Sequence, residues 1–372
     1  MRILIDYRPA LRQRTGVGEY VHQTTTALVS TRGPADTLCL FSSSWKDRLA
    51  PDAVPGAQVV DRRIPVRALH LLWHRLEWPP VEWLAGAGID IAQSAHPLLI
   101  PSRRAARLVT IYDLHFLDHP ERTTAEIRRD YPTLAASHAR RADQVIVISH
   151  HTAADVERRL GVPASRISVC TPGAPDWARR EREPAEGGTI LFLGTLEPRK
   201  NLGVLLDAYE ALLVRMPHAP PLVLAGRITD EAAPLIERTR RAPLAGRVET
   251  PGYIAPGDRE ALYRRALVFV LPSHTEGFGM PAVEAMMVGV PVIAANRGAL
   301  TESVGTAGVL VDPDVPLAFT DALATLLESP ARRQALADAG RAHASTFTWR
   351  RTAESTRAAW HLALEHRAER HG

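Results

Sequence analysis

Residues 274–285 read His-Thr-Glu-Gly-Phe-Gly-Met-Pro-Ala-Val-Glu-Ala and predict a strand-end loop that turns into a helix. Gly277 and Gly279 permit a positive φ and let the backbone approach a ligand closely. The proline suits the first turn of a helix, where its missing N–H costs nothing. Glu276 and Glu284 can accept hydrogen bonds from hydroxyl groups, while the free N–H groups of a helix start favour an anion. The stretch therefore predicts a site for a ligand with both hydroxyls and phosphates, such as a sugar nucleotide.

The same stretch resembles the E-x-F-G-x-P-x-x-E signature of the retaining glycosyltransferases of family 4. The resemblance implies an α/β GT-B fold, in which two doubly wound Rossmann-like domains face each other across a cleft. It also implies that Glu276 contacts hydroxyls of the donor sugar and that Glu284 binds the ribose. The loop between them is expected to hold sugar and phosphate through Gly277, Phe278, Gly279 and Met280. A pair of glutamates at a solvated helix start is the alternative interpretation of the residues alone.

Length and composition narrow the class of protein. At 372 residues, 45% hydrophobic and 23% charged, the chain suits two globular domains. The net charge of +4 is scattered, so we expect no nucleic-acid partner. Two distant cysteines and the lack of a signal-peptide pattern indicate a cytoplasmic protein. We find no apolar run of the roughly 20 residues that a membrane-spanning helix needs.

Short apolar runs alternate with helical periodicity in both halves, which predicts parallel sheets flanked by helices. The predicted strands lie at residues 2–6, 38–41, 89–93, 108–111, 144–148, 167–170, 189–193, 222–225, 247–250, 268–271, 292–294 and 309–311. The predicted helices lie near residues 19–29, 68–76, 126–140, 151–160, 202–214, 230–240, 259–265, 282–288, 317–327 and 349–366. Ser149 is placed to cap one of these helices.

A stretch rich in proline and glycine interrupts this alternation and predicts a domain boundary. We assign residues 1–175 to an N-terminal Rossmann-like domain on the acceptor side and residues 176–188 to a linker. Residues 189–348 form the C-terminal domain on the nucleotide-sugar side, and residues 349–372 a helix. The resemblance implies that this helix crosses back to the first domain.

Arg199 and Lys200 follow a predicted strand and precede a helix. The chain has only one other lysine, Lys46, so Lys200 suggests a site that prefers a compact point charge. The pair, with Gly194 ahead of it, resembles the family's donor-diphosphate site and would stabilise charge on the leaving nucleotide. A solvated basic turn is the alternative.

The first domain resembles the family more loosely. Gly16 and Gly18 resemble its N-terminal glycine loop, which lies beside the donor phosphates, although a plain turn also explains them. Asp113 is a candidate for orienting an acceptor hydroxyl. Many relatives carry a histidine where this chain has Tyr112, and His115 is a candidate substitute or a loop histidine with a local hydrogen bond.

Three further residues are implied to lie near the nucleotide. By resemblance, Tyr253 and Ile254 flank the base and Arg227 lies in a comparable strand-end loop, although turn chemistry explains them equally well. We identify no metal-ligand motif, and a metal-independent reaction fits because two cations would replace the ion.

The resemblance implies a nucleotide-diphosphate sugar as substrate, no cofactor, and a saccharide or lipid-linked acceptor. Residues 128–141 look like bacterial mannosyltransferases of polysaccharide assembly, which favours GDP-mannose. We see no nucleophile, so retention by a front-face mechanism is the hypothesis. A GT-B-like sugar-nucleotide epimerase and a non-catalytic sugar-nucleotide-binding protein are the alternatives.

Residues 69–84 are basic and aromatic, with three tryptophans. Such a segment can lie on a membrane surface, and the inner face of a membrane is then the expected place of contact. Packing of the tryptophans against the first domain is the alternative.

Overall fold

A computed structural model of the chain describes residues 1–11, 14, 16–123, 125–184 and 187–371. The chain divides into two compact units. Unit one comprises Met1–Gly173 and Trp349–Gly372, and unit two comprises Ala174–Thr348. Residues 185 and 186 of the expected linker lie outside the described residues.

Unit one is built on a parallel sheet. Its strands are β1 (Arg2–Asp6), β2 (Thr37–Ser43), β3 (Gln58–Arg62), β4 (Ile91–Ser94), β5 (Ala106–Ile111), β6 (Gln144–Val147) and β7 (Ile167–Val169). Among the described residues the sheet has seven strands in the order β3-β2-β1-β4-β5-β6-β7. The strand order reverses between β1 and β4, which opens a crevice at the carboxyl ends of these two strands.

Helices cover this sheet. They are α1 (Gly16–Ser30), α2 (Val66–Leu71), α3 (Val81–Ala85), α4 (His115–Asp118), α5 (Ala125–Arg141) and α6 (His150–Asp155). Helices α2 and α6 each continue into a wider, π-helical turn, over Leu72–Leu76 and Val156–Leu160. The predicted cap is confirmed, because Ser149 Oγ accepts a hydrogen bond from the N–H of Thr152.

Unit two repeats the plan. Its strands are β8 (Thr189–Leu193), β9 (Leu222–Ala225), β10 (Val248–Gly252), β11 (Ala266–Leu271), β12 (Val292–Ala295) and β13 (Val309–Val311). Its described helices are α7 (Leu202–Arg215), α8 (Ala233–Arg238), α9 (Arg259–Arg264), α10 (Met280–Val288), α11 (Leu300–Ser303), α12 (Pro316–Glu328) and α13 (Pro330–Ala344). The parallel sheet has the order β10-β9-β8-β11-β12-β13, with its reversal between β8 and β11.

The last helix, α14 (Trp349–His371), belongs to unit one. Trp360 lies in the core of that unit beside residues of the sheet. Its indole N–H donates to Gln93 Oε1 at 2.8 Å. A sequentially distant helix thus completes the hydrophobic core of unit one.

The predicted α/β class and doubly wound sheets are confirmed, but five of the named elements were missed: β3, α13 and the short helices α3, α4 and α11. β3 is a partly exposed edge strand, so it lacks the continuous apolar run that marks a buried parallel strand. Helix α13 follows α12 after a single residue and is rich in arginine and alanine, which gives a weak apolar stripe. The helix predicted over residues 230–240 is shorter, since α8 ends at Arg238.

Candidate active site

Four neighbouring strands of unit two, β10, β9, β8 and β11, present their carboxyl-end loops at one edge of the sheet. The N–H of Leu196 donates to the carbonyl of Arg227 at 2.8 Å. The N–H of Gly226 donates to the carbonyl of Gly252, directly before Tyr253, at 2.8 Å. The loops that carry Gly194, Arg227, Tyr253 and Ile254 therefore lie side by side, as parallel strands require.

Lys200 and Glu276 meet at the reversal point of this sheet. Lys200 Nζ donates to Glu276 Oε1 at 2.6 Å, and both side chains are buried. Ser273 Oγ donates to the same oxygen at 2.7 Å. Two donors thus hold Oε1, while Oε2 lies 3.7 Å from Arg199 Nη1, beyond hydrogen-bond distance.

Arg199 stands at the rim of this pair. Its Nη1 donates to the carbonyl of Thr275 at 3.1 Å, and its Nε lies 2.7 Å from Glu197 Oε1. The carbonyl of Arg199 in turn accepts from the N–H of His274 at 2.9 Å. These contacts tie the loop after β8 to the loop after β11.

The electrostatics of the pair follow from burial and from its neighbours. Burial and the Arg199 charge lower the pKa of Lys200, and Glu276 opposes this shift. Burial by itself raises the pKa of Glu276, but the charges of Lys200 and Arg199 outweigh it, so the pKa lies below its usual value. Glu276 is therefore a carboxylate at neutral pH and accepts hydrogen bonds.

Glu284 lies on α10, one turn from its start, in a separate group of side chains. Tyr263 Oη donates to Glu284 Oε2 at 2.8 Å. Arg259 Nη1 lies 3.4 Å from Oε1, a long contact. Sequence reasoning missed Ser273, Tyr263 and Arg259, because their partners come from other loops and helices.

The loop that joins the two glutamates forms the predicted bend. Gly279 has a φ of 95° at the start of α10, and a Cβ there would lie 2.5 Å from Leu300 Cδ2. Gly277 is not among the glycines with positive φ, so of the two glycines only Gly279 uses this freedom. Phe278 is buried and packs edge-to-face on Phe347, with ring centroids 5.2 Å apart. Met280 begins the helix, whose first N–H groups have no side-chain cap.

In unit one, Asp113 and His115 follow β5 at the carboxyl edge of the sheet. Asp113 Oδ1 accepts the N–H of His115 at 3.1 Å, which fixes the start of α4. The rings of His115 and His119 lie 4.9 Å apart. Tyr112 lies inside the unit, where it lines a cavity of about 10 Å³ with Thr24.

The two glycines at the start of α1 differ. Gly18 is buried, and a Cβ there would lie 2.6 Å from the carbonyl oxygen of Pro9, so close packing explains this glycine. Gly16 is exposed, with no atom within 4 Å of a built Cβ. Residues 12, 13 and 15 of the preceding loop lie outside the described residues.

A polar cluster at the reversal point of unit one escaped the sequence analysis. Arg8 donates to both oxygens of Asp6, from Nε at 2.7 Å and from Nη2 at 2.8 Å. Its guanidinium also contacts Nε2 of His70 and, at 3.2 Å, Nε2 of His96. The signal was available, since Asp6 ends β1 and His96 follows β4, the two strands that flank the crevice.

Three histidines of this cluster correct the expectation that the chain has no metal-ligand spacing. His70 and His74 are four positions apart, and one ring nitrogen of each, together with one of His96, lie within 4.8 Å of one another. Burial, together with nearby charges, lowers the pKa of His74 to about 2 and of His96 to about 4, so both rings are neutral. However, Arg8 already contacts two of the three rings, so a metal ion would have to displace a cation.

Comparison with known proteins identifies two adjacent sequence families. Residues 14–176 match the profile described as Glycosyltransferase Family 4, and residues 174–343 match Glycosyl transferases group 1. Together the matches extend from the glycine loop of unit one almost to the end of unit two.

Two sequence relatives and a solved structure are similar over long stretches. O-antigen chain mannosyltransferase B of Escherichia coli is 27% identical over 385 residues, covering 97% of this chain and 100% of that protein. D-inositol 3-phosphate glycosyltransferase 2 of Catenulispora acidiphila is 31% identical over 306 residues, covering 77% and 68%. Sucrose-phosphate synthase from Thermosynechococcus elongatus superposes with a TM-score of 0.78 at 20% identity, covering 97% and 98%.

Proposed function

The chain belongs to the group 1 glycosyltransferases of family 4, and from this premise we propose that it moves a hexose from a nucleotide-diphosphate sugar to a saccharide or lipid-linked acceptor. The GT-B fold and glycosyltransferase activity follow from the family and its structural neighbours. The donor, the stereochemical course and the roles of single residues are parts of the proposal.

The buried ion pair of Lys200 and Glu276 carries the assignment of the site. Two donors orient Glu276 Oε1, which leaves Oε2 to accept a hydroxyl of the donor sugar. A buried charge pair is costly to maintain and is weak support for stability. Its position at the reversal point of a parallel sheet, where ligands bind, therefore favours a functional role.

Arg199 and Lys200 would neutralise the diphosphate as it leaves. When the bond between the anomeric carbon and the diphosphate oxygen breaks, the electron pair moves to that oxygen. The acceptor hydroxyl attacks the same face of the anomeric carbon, and its proton passes to the departing diphosphate. Preorganised cations stabilise this developing charge without reorganisation, so no metal ion is needed in the proposed reaction.

Glu284 would bind the ribose. A carboxylate that accepts from Tyr263 at one oxygen and has a long contact to Arg259 at the other can accept the ribose hydroxyls on its second oxygen. The strand-end loops that carry Arg227, Tyr253 and Ile254 are proposed to flank the base of the donor nucleotide.

Mannose is the proposed sugar and GDP-mannose the proposed donor. The similarity to an O-antigen chain mannosyltransferase along the whole chain supports this choice. The named acceptors of other relatives differ, inositol 3-phosphate in one, so the acceptor is proposed only as a saccharide or lipid-linked saccharide.

A thermal-shift panel with GDP-, UDP-, ADP- and dTDP-sugars tests the proposal. A ligand at about 100 times its Kd should add roughly 2.7 kcal/mol to the free energy of unfolding. We expect GDP-mannose to stabilise Glu284→Gln less than the wild type, because the variant should bind the nucleotide about 1–2 kcal/mol more weakly. If another sugar nucleotide stabilises the protein instead, that compound becomes the proposed donor. Analysis of the products formed without acceptor would identify an epimerase. No shift with any donor or free nucleotide would contradict the site.

A further inference from the structure

Unit one exposes large apolar side chains within one short segment. Leu71, Leu76, Trp78 and Trp83 have 52%, 66%, 50% and 58% of their surface exposed. The rings of Trp78 and Trp83 lie edge-to-face, 6.0 Å apart. We call these four side chains the apolar patch. By contrast, Trp73 of the same segment is fully buried, so packing inside unit one accounts for this tryptophan but not for Trp78 and Trp83.

The wider turn after α2 keeps the two leucines together. In a regular α-helix of 3.6 residues per turn, Leu76 would lie about 140° around the axis from Leu71. The turn over Leu72–Leu76 is π-helical, and such turns join residues five apart. Leu76 therefore stays on the outer side with Leu71, while Trp73 faces the core.

Exposed arginines lie in the segment of the patch or against one of its rings. Arg67 lies one helical turn before Leu71, and Arg75 precedes Leu76. The guanidinium of Arg103 lies over the ring of Trp83, 5.2 Å from its centroid. Apolar side chains and arginines thus occur together in this part of unit one.

The acidic groups near the patch are already bound. Glu77 pairs with Arg141. Glu82 Oε1 accepts from Ser102 Oγ at 2.5 Å and from two backbone N–H groups. Asp130 is buried and pairs with Arg75 and Arg129. Because Arg75 is paired with Asp130, the positive charge beside the apolar patch comes from Arg67 and Arg103.

We propose that the apolar patch and its arginines bind the surface of an anionic phospholipid bilayer. Tryptophan rings prefer the interface between lipid and water, and arginines near the surface are attracted by anionic headgroups. The leucines would add buried apolar area on one side of the segment. No described helix is long and apolar enough to cross a membrane, so the contact would be interfacial. The inference does not rest on the proposed sugar transfer.

Vesicle co-sedimentation of the full chain tests this surface. We expect binding to vesicles with about 30% phosphatidylglycerol in phosphatidylcholine, lost when salt rises from about 50 to about 500 mM. Trp78→Ala with Trp83→Ala should weaken binding at least about tenfold, and Leu76→Ser by less. Trp45→Ala and Leu317→Ser, 68% and 64% exposed elsewhere, are the matched controls and should bind like the wild type.

Three other results of the vesicle experiment would contradict membrane binding by the apolar patch. Absence of binding at low salt, equal binding to pure phosphatidylcholine, or equal loss in the controls would overturn the inference. If the patch binds a second copy of the chain instead of lipid, the protein will sediment in the absence of vesicles, and this result would also overturn the inference. The double tryptophan variant should keep the donor-induced thermal shift, so a failure of the site assignment and a failure of this inference are separate results.

Discussion

Lys200 shows how one residue can join two distant loops. Its ammonium group is buried against Glu276, 76 positions further along the chain. Breaking a buried pair by removing one partner typically costs about 3–5 kcal/mol. A variant that keeps the shape of the side chain is therefore the better probe of chemistry.

Glu276→Gln should lower turnover by at least about 10²-fold, the scale of one preorganised electrostatic contact. The amide keeps an oxygen for Ser273 but loses the charge. Initial rates with saturating donor measure the effect, and a melting curve confirms folding. Glu249→Gln, an exposed carboxyl on β10, is the control. Equal rates for the two variants would remove Glu276 from the site.

Lys200→Met keeps most of the shape of the side chain and should reduce turnover by at least about 10²-fold, because the diphosphate loses a cation. Lys46→Met, at the other lysine of the chain, which is exposed, should leave the rate unchanged. A stable, folded Lys200→Met protein with normal rates would contradict the assignment.

Glu284→Gln should mainly weaken nucleotide binding, by about 1–2 kcal/mol, since a charge-assisted hydrogen bond is replaced by a neutral one. Calorimetric titration with the nucleotide measures the change. Glu302→Gln on the neighbouring helix α11 is the control. If turnover fell with unchanged nucleotide affinity, Glu284 would act on the sugar instead of the ribose.

At the scale of elements, the start of α10 decides where both glutamates lie. Gly279 combines a φ of 95° with a close approach to Leu300. Neither requirement tolerates a side chain, because left-handed backbone is unfavourable for other residues. Helix α10 therefore begins directly after Gly279, and this fixed start determines where Glu284 lies.

Gly279→Ala should destabilise the protein by at least about 1–2 kcal/mol from the backbone alone, with more from the contact to Leu300. Denaturant unfolding measures the change. Gly257→Ala has nothing within 4 Å of its Cβ and no positive φ, so it should change little. Similar unfolding curves for the two variants would contradict this prediction and show that the backbone at residue 279 accommodates a side chain.

On the scale of the whole molecule, α14 links the end of the chain to the sheet of unit one. Trp360→Ala should cost roughly 3–5 kcal/mol, as for large aromatic residues in a core. Trp45→Ala, an exposed tryptophan of the same unit, should stay within about 0.5 kcal/mol. If both variants unfolded alike, α14 would not contribute to the core of the unit in solution.

Removal of divalent ions is a second test on the whole molecule. If Arg199 and Lys200 neutralise the diphosphate, activity after EDTA treatment and desalting should stay within about twofold of the untreated enzyme. Strong inhibition that added metal reverses would contradict the proposed metal independence. It would also direct attention to His70, His74 and His96.

Much of the fold was predictable because its signals are local. Apolar runs placed β8, β9 and β13 at their observed bounds, and the spacing from Glu276 to Glu284 marked a bend before a helix. Such patterns depend only on neighbours along the chain. The edge strand β3 was not predicted for the same reason, since its partly exposed residues carry no apolar pattern.

By itself the sequence determined the α/β class and the family to which the chain belongs. Only the tertiary structure decided that Ser273 and Lys200 share one oxygen of Glu276, that Arg8 lies among three histidines, and that Trp73 is buried while Trp78 and Trp83 are exposed. These contacts depend on strand order and on the direction of side chains from separate elements. Local sequence encodes neither the strand order nor the direction of these side chains, because both are set by packing between segments far apart in the chain.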